Sequence, residues 1–251
     1  MKDIALNQDE RLDEVNEHIR IIQKKDGLTF GTDAFLLASF IKPQPKAKAI
    51  ELGGGTGIIS LLLAARNRFA KIIALEIQED FADIASRNVT LNQMEDKISI
   101  LCKDATKVTA QDIGGEADVV FSNPPYMKIN CGKRNESDYK YIARHEVCGD
   151  IEDFCASAFR LLKHGGKFYA VWRPDRLTDI MAAMRRNRIE PKVITFVHAD
   201  TLSIPSMVLI SGTKCGASGV KVTPPLFIYE DKSRNNMSGT AQKIYDTMSF
   251  D

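Results

Sequence analysis

The sequence predicts an α/β fold: one doubly wound, mostly parallel sheet of seven strands with an antiparallel edge strand. Five short apolar runs have strand length and composition: KAIEL (48–52), KIIALE (71–76), ISILCKD (98–104), ADVVFS (117–122) and GKFYAVW (166–172). They alternate with helical stretches over Ile58–Asn67, Glu79–Asn92 and Glu152–Leu162. Such a succession implies right-handed crossovers between parallel strands. A glycine-rich turn joins the first run to the first of these helices, at the sheet edge where such folds bind ligands.

In chain order, residues 1–30 form an N-terminal extension in which LDEVNEHIRIIQ predicts a short helix or hairpin over one edge of the core. GTDAFLLASFI then predicts a helix capped by Thr32 or Asp33, and KPQPK ends it because proline cannot continue a helix. Beyond Trp172, RPDRLTDIMAAMRRNRI predicts a helix, and KVITFVHAD and SMVLISGTK two last strands in a hairpin-like edge. Residues 31–215 thus make the main domain, and 216–251 an edge segment with a loosely held tail. The long irregular stretch, Met127–Asp150, has the length of a functional loop.

Composition excludes several classes. The 251 residues carry 44% apolar side chains, enough for a sizeable core, and a net charge of only +1 from 34 basic and 33 acidic residues. A nucleic-acid partner would have to be met by local patches. Five scattered cysteines without a C-x-x-C pair suggest neither a disulfide framework nor a zinc site, so no metal is expected and a reducing cytoplasm fits. Cys102 and Cys155 read as core. A polar N-terminus and the lack of any run of 18 apolar residues point away from membrane or export.

AIELGGGTGIIS sets Gly53, Gly55 and Gly57 between a strand and a helix, where the backbone can turn tightly and approach a ligand beside unpaired helix N–H groups. A G-x-G-x-x-G fingerprint would need glycine at Ile58, and a P-loop would need Gly-Lys-Ser/Thr; neither is present. Glu76 closes the second strand, 19 residues after Gly57, where a carboxylate can accept from both hydroxyls of a ribose. Asp104 closes the third. Either acid alone reads as readily as a cap for the next helix; together with the turn, they favour a ligand. The set resembles the Rossmann-like S-adenosylmethionine-dependent methyltransferases. ELGGGTG, from Glu51, matches their E/D-x-G-x-G-x-G motif, Glu76 with Ile77 their ribose position, and Asp104 with Ala105 their adenine-edge position. The resemblance implies S-adenosyl-L-methionine as cofactor, with Thr32 and Asp33 near its methionine ammonium.

DVVFSNPPYMKIN stops a buried strand on Asn123, Pro124, Pro125 and Tyr126. Proline fixes φ, removes N–H donors and extends the preceding residue, so Asn123 and Pro124 form a stiff rim with outward acceptors. A conjugated amine is a poor nucleophile. Accepting its N–H groups on the Asn123 side-chain oxygen and the Pro124 carbonyl favours the tetrahedral nitrogen that forms during methyl attack. Tyr126 would stack on the planar acceptor. A proline turn that merely ends a strand is the bland alternative. NPPY resembles the motif of amino-methyltransferases acting on adenine N6, cytosine N4 or a release-factor glutamine amide. It specifies the reaction better than the substrate.

Fewer than 55 residues precede the glycine turn, leaving little room for the helical domain of release-factor methyltransferases. Nothing has the length of a DNA target-recognition domain. LTFGTDAFLLASFI, ARHEV (143–147), LLKHGGKFYAVWRPDRL (161–177) and VTPPLFIYE (222–230) resemble, in that order, the bacterial family that methylates N6 of the adenosine 3′ of the anticodon in a valine tRNA. One departure is His164, where that family commonly has proline. Lys128, Lys133, Arg134, Lys140 and Arg144, against Glu136 and Asp138, make the NPPY loop locally basic, with Tyr139 and Tyr141 interleaved, as suits phosphates and unstacked bases. His145 reads as a phosphate contact or a structural residue, not a base. Arg185, Arg186 and Arg188 form a second basic cluster, equally readable as a solvated face. The expected partner is tRNA and the expected state a monomer or weak dimer. Two alternatives stay open: an N-methyltransferase of a glutamine amide or another nucleic-acid amine, and a cofactor-binding RNA module without turnover.

Overall fold

A computed structural model describes residues 5–26, 30–124 and 150–250. After a hairpin of β1 (Glu10–Asn16) and β2 (Ile19–Lys24) come α1 (Thr32–Phe40), β3 (Gln44–Leu52), α2 (Ile58–Ala65), β4 (Phe69–Glu76), α3 (Glu79–Leu91), β5 (Ile98–Cys102) and β6 (Ala117–Ser122). Then follow α4 (Ile151–Leu161), β7 (Leu162–Trp172), α5 (Leu177–Arg186), β8 (Ile189–His198), β9 (Pro205–Lys214), β10 (Lys221–Val222), β11 (Leu226–Phe227) and α6 (Gly239–Thr247). The main sheet has nine strands in the order β10-β8-β9-β7-β6-β3-β4-β5, with β11 also on β8. From β5 through β7 it is parallel. Alternate residues enter opposite cores, as a two-faced strand requires. Val119, Phe121, Tyr169 and Val171 meet α1 and α2, whereas Val120, Phe168, Ala170 and Trp172 meet α4 and α5. Helix α2 is buried from Ile58 to Ala64, which is why it is apolar all round.

The α/β fold class stands, with four differences. The sheet has two strands more than expected. The antiparallel strand is not the edge: β9 runs antiparallel between β7 and β8, and short parallel β10 and β11 cover β8. Pro224 and Pro225 separate those two segments, as proline does on an edge. Pro45, expected only to stop α1, lies inside β3 at a register shift. The tail is not loosely held, since Ala241 and Ile244 of α6 and Met248 beyond it are buried in the core with α1 and α2. Cys102 is exposed at the end of β5, against expectation, and Cys155 is buried.

The N-terminal segment is a hairpin, and its β2 packs on α3 and α2 at one side of the core. Two asparagines, Asn88 in the last turn of α3 and Asn92 at its C-cap, act as a substitute strand for β2. Asn92 accepts from Arg20 N–H (3.0 Å) and donates to its carbonyl (2.7 Å). Asn88 does the same for Ile22 (2.6 and 3.1 Å) and also donates to the Thr56 carbonyl in the glycine turn (2.9 Å). Asn88 is fully buried. Asn88→Ala orphans one donor and two acceptors there, so calorimetry should find a loss of about 3 kcal/mol.

Candidate active site

The chain winds outward from β3 through β4 to β5, then returns to lay β6 and β7 on the other side. The carboxyl ends of β3 and β6 therefore flank the point where strand order reverses, which is where open α/β sheets bind ligands. Leu52 pairs with Leu75 on one side and Ser122 on the other, and Ser122 Oγ donates to the Leu52 carbonyl at 2.7 Å. One residue further along each strand stand Gly53, Glu76 and Asn123, side by side on the rim.

Gly53, Gly55 and Gly57 have φ of +73°, +53° and +83°, a region other residues enter at a cost. Gly53 and Gly54 both donate to the Leu75 carbonyl (2.9 Å each), which folds the turn back over β4. A Cβ on Gly55 would meet nothing within 4 Å, so this side of the turn is open, while one on Gly57 would press on Ala85 of α3 at 3.4 Å. An open, left-handed backbone facing the crevice fits the sugar and amino-acid portions of a nucleoside cofactor.

Glu76 is buried, and its two oxygens accept from Gly55 N–H (2.8 Å) and Gln78 N–H (2.9 Å). Each carboxylate oxygen has a second acceptor direction, so Glu76 can tie the turn to β4 and still receive ribose hydroxyls. Asp104 is more committed. Its Oδ1 accepts from Thr106 N–H (2.9 Å) and Oγ1 (2.7 Å), and Lys107 lies 3.2 Å from Oδ2. Burial pushes its pKa up, but Thr106 and Lys107 outweigh this and hold it below the ordinary value. Asp104 thus closes a turn and caps no helix, contrary to the capping alternative. Ile77 is half-buried next to Glu76, and the Ala105 carbonyl accepts from Arg160 of α4 (3.2 Å). Arg160 also holds the Thr106 (2.8 Å) and Val108 (2.7 Å) carbonyls, fixing the loop after β5. No sequence pattern singled out this arginine. Glu51, the acid opening the glycine motif, is buried beneath the turn and accepts from Ser60 Oγ of α2.

Asn123 is half-buried at the end of β6, with Pro124 buried behind it. Asn123 Nδ2 donates to Asp33 Oδ2 at 2.8 Å, across 90 residues of sequence. Asp33 therefore caps no helix: α1 begins after Gly31 with no side-chain cap. Thr32 is exposed. Pro125, Tyr126, Lys128, Lys133, Arg134, Lys140, Arg144 and His145 lie outside the described residues. The second basic cluster is accounted for internally. Arg186 binds Glu152 (2.9 Å from Nε), Arg185 lies 3.2 Å from Glu190, and Arg188 stands over the Phe159 ring at 5.4 Å. These arginines lie in the last turn of α5 and just before β8, on the side of the sheet opposite the crevice. Among the described residues no group of three or more histidines, cysteines or acids could hold a metal, and no helix is long and apolar enough to cross a membrane.

A family described as "Methyltransferase small domain" matches residues 24–187. Among curated proteins, the chain is 29% identical over 208 residues to a tRNA1(Val) (adenine(37)-N6)-methyltransferase of Phocaeicola vulgatus, covering 80% of this chain and 86% of that one. It is 30% identical over 193 residues to the protein of the same description from Bacteroides fragilis, covering 75% and 78%. Among solved structures, a predicted O-methyltransferase of Agrobacterium tumefaciens superposes with a TM-score of 0.69 at 21% identity, over 87% of this chain and 97% of that one.

Proposed function

We propose, for a chain that belongs to the methyltransferase small domain family and within it to the tRNA1(Val) adenine-N6-methyltransferases, that it transfers a methyl group from S-adenosyl-L-methionine to N6 of the anticodon-loop adenosine of a valine tRNA. The observation that carries the reading is the fixed amide of Asn123 on the rim, beside Gly53 and Glu76 at the strand-order reversal. When bound, the cofactor supplies an electrophilic methyl: the amine lone pair makes the new N–C bond, the pair of the broken S–C bond stays on sulfur, and one amine proton leaves to solvent. Gly53, Gly55, Gly57 and Glu76 would hold the cofactor's methionine and ribose, and Asp104 with Ala105 its adenine edge.

This chain's own contribution is positioning and electrostatics. An adenine N6 lone pair is delocalised into the ring, so the nitrogen must become tetrahedral as it attacks. Asn123 Oδ1, with the Pro124 carbonyl, accepts the amine's N–H groups and favours that geometry chiefly in the transition state. An anticodon-loop base is already single-stranded, so exposing it costs little. The basic stretch 128–144 suits the RNA backbone, and residues 31–215 serve as the catalytic unit. A cytoplasmic monomer or weak dimer is the working form. Incubation of the purified chain with labelled S-adenosylmethionine and unmodified bulk tRNA, then nucleoside mass spectrometry, should yield N6-methyladenosine. Cofactor binding with no methylated nucleoside would overturn the reading.

A further inference from the structure

We propose that Asp33 is a positioning residue for methyl transfer, orienting and polarising the Asn123 amide from behind; this rests on reading the rim as an amine methyltransferase site. A carboxylate only accepts hydrogen bonds. Meeting Asp33 Oδ2 at 2.8 Å, the Asn123 side chain must present Nδ2 to it, which turns Oδ1 to the opposite end of the amide. An asparagine alone on a rim could flip and offer a donor where an acceptor is wanted. Here the flip is set by a residue from another element. The negative charge behind Nδ2 also polarises the amide and strengthens Oδ1 as an acceptor, so it acts most when positive charge builds on the attacking nitrogen.

Two further features are arranged around this contact. Gly31 has extended backbone (φ −118°) that any residue can adopt, yet a Cβ there would stand 2.8 Å from Asp33 Oδ1. The carboxylate turns back over the place where a side chain would be. The start of α1 is also held from the far end of the sequence. Tyr245 of α6 stacks on Phe35, with ring centroids 4.2 Å apart and planes 8° from parallel. Helix α6 thus fixes the turn of α1 that carries Asp33, giving the buried C-terminal helix a role at the site.

Asp33→Ala, Asp33→Asn and Gly31→Ala should be compared with wild type in single-turnover methylation of unmodified tRNA at saturating S-adenosylmethionine. Cofactor affinity would be measured separately by calorimetry. Asp33→Ala should slow the step about 10- to 100-fold with cofactor affinity changed less than threefold. Asp33→Asn, which can still accept from Nδ2 without the charge, should recover part of the rate. Gly31→Ala should lose rate in the same direction with Asp33 intact. An unchanged rate in Asp33→Ala, or a loss that tracks weakened cofactor binding, overturns the proposal in favour of a structural or cofactor-ligand role. The Asn123 side-chain amide resonance, in protein carrying 15N-asparagine, tests the bond without RNA. If it is the same in wild type and Asp33→Ala, the bond is refuted whatever the acceptor. A wild type that methylates no nucleoside indicts the acceptor assignment instead.

Discussion

Asn123→Ala should lower turnover about 10²- to 10³-fold while leaving cofactor affinity and melting temperature close to wild type. The side chain is half-buried and donates to Asp33 Oδ2. Truncation removes the amine acceptor while leaving the residues of the glycine turn and Glu76 in place. Because the interaction grows as nitrogen becomes tetrahedral, the loss falls on kcat more than on KM for tRNA. Asn123→Asp is a sharper probe. It places a second carboxylate against Asp33, and two carboxylates that close share a proton. In the singly protonated state the pair reproduces the bond and leaves an acceptor on the rim. Activity should then lie between Ala and wild type and fall as pH rises and the shared proton is lost. Equal kcat in wild type and Asn123→Ala would remove the amine-clamp mechanism even if the product proved to be N6-methyladenosine.

The sheet was legible because its strands are buried on both faces and write themselves as apolar runs, as in ADVVFS, whose predicted 117–122 coincide with β6. Glycines with positive φ and acids at strand ends marked the rim for the same reason: tight turns and strand termini restrict residue type. What escaped was held by side chains meeting across long sequence distances. Nothing in TDAFLL shows that Asp33 reaches Asn123 rather than its own helix N-terminus; the hydrogen-bonding chemistry is the same and only the fold decides. Arg160 anchors three parts of the loop after β5 from the last turn of a helix, without a local signature. The hairpin was half-legible. LDEVNEHIRIIQ has too little apolar surface to stand alone, and its stability comes from Asn88 and Asn92 on a helix more than sixty residues away. The C-terminal helix is amphipathic, but only the fold shows that it packs on α1 and β11.

Glu51→Gln should abolish a pH dependence of stability that the wild type owes to one buried carboxyl. Burial pushes the Glu51 pKa up to about 8, against the Ser60 bonds that lower it, and the nearby charge of Glu76 raises it further. A folded-state value above the unfolded one means that the native protein holds a proton the unfolded chain has released. Stability from this group is therefore full below the unfolded value of 4.5 and is lost as pH rises towards about 8. The size is on the order of 5 kcal/mol, at about 1.4 kcal/mol per pKa unit. Glutamine keeps the shape and an acceptor for Ser60 but carries no titrating proton. The stability difference between variant and wild type, from urea unfolding between pH 5 and pH 9, should grow in the variant's favour until about pH 8 and then level. A difference that stays flat means Glu51 is ionised throughout, with its charge met by the α2 N-terminus above it. Glu76→Gln separates the causes further: it removes the like charge, so the wild-type decline should end at a lower pH, linking the acid under the glycine turn to the acid that holds it shut.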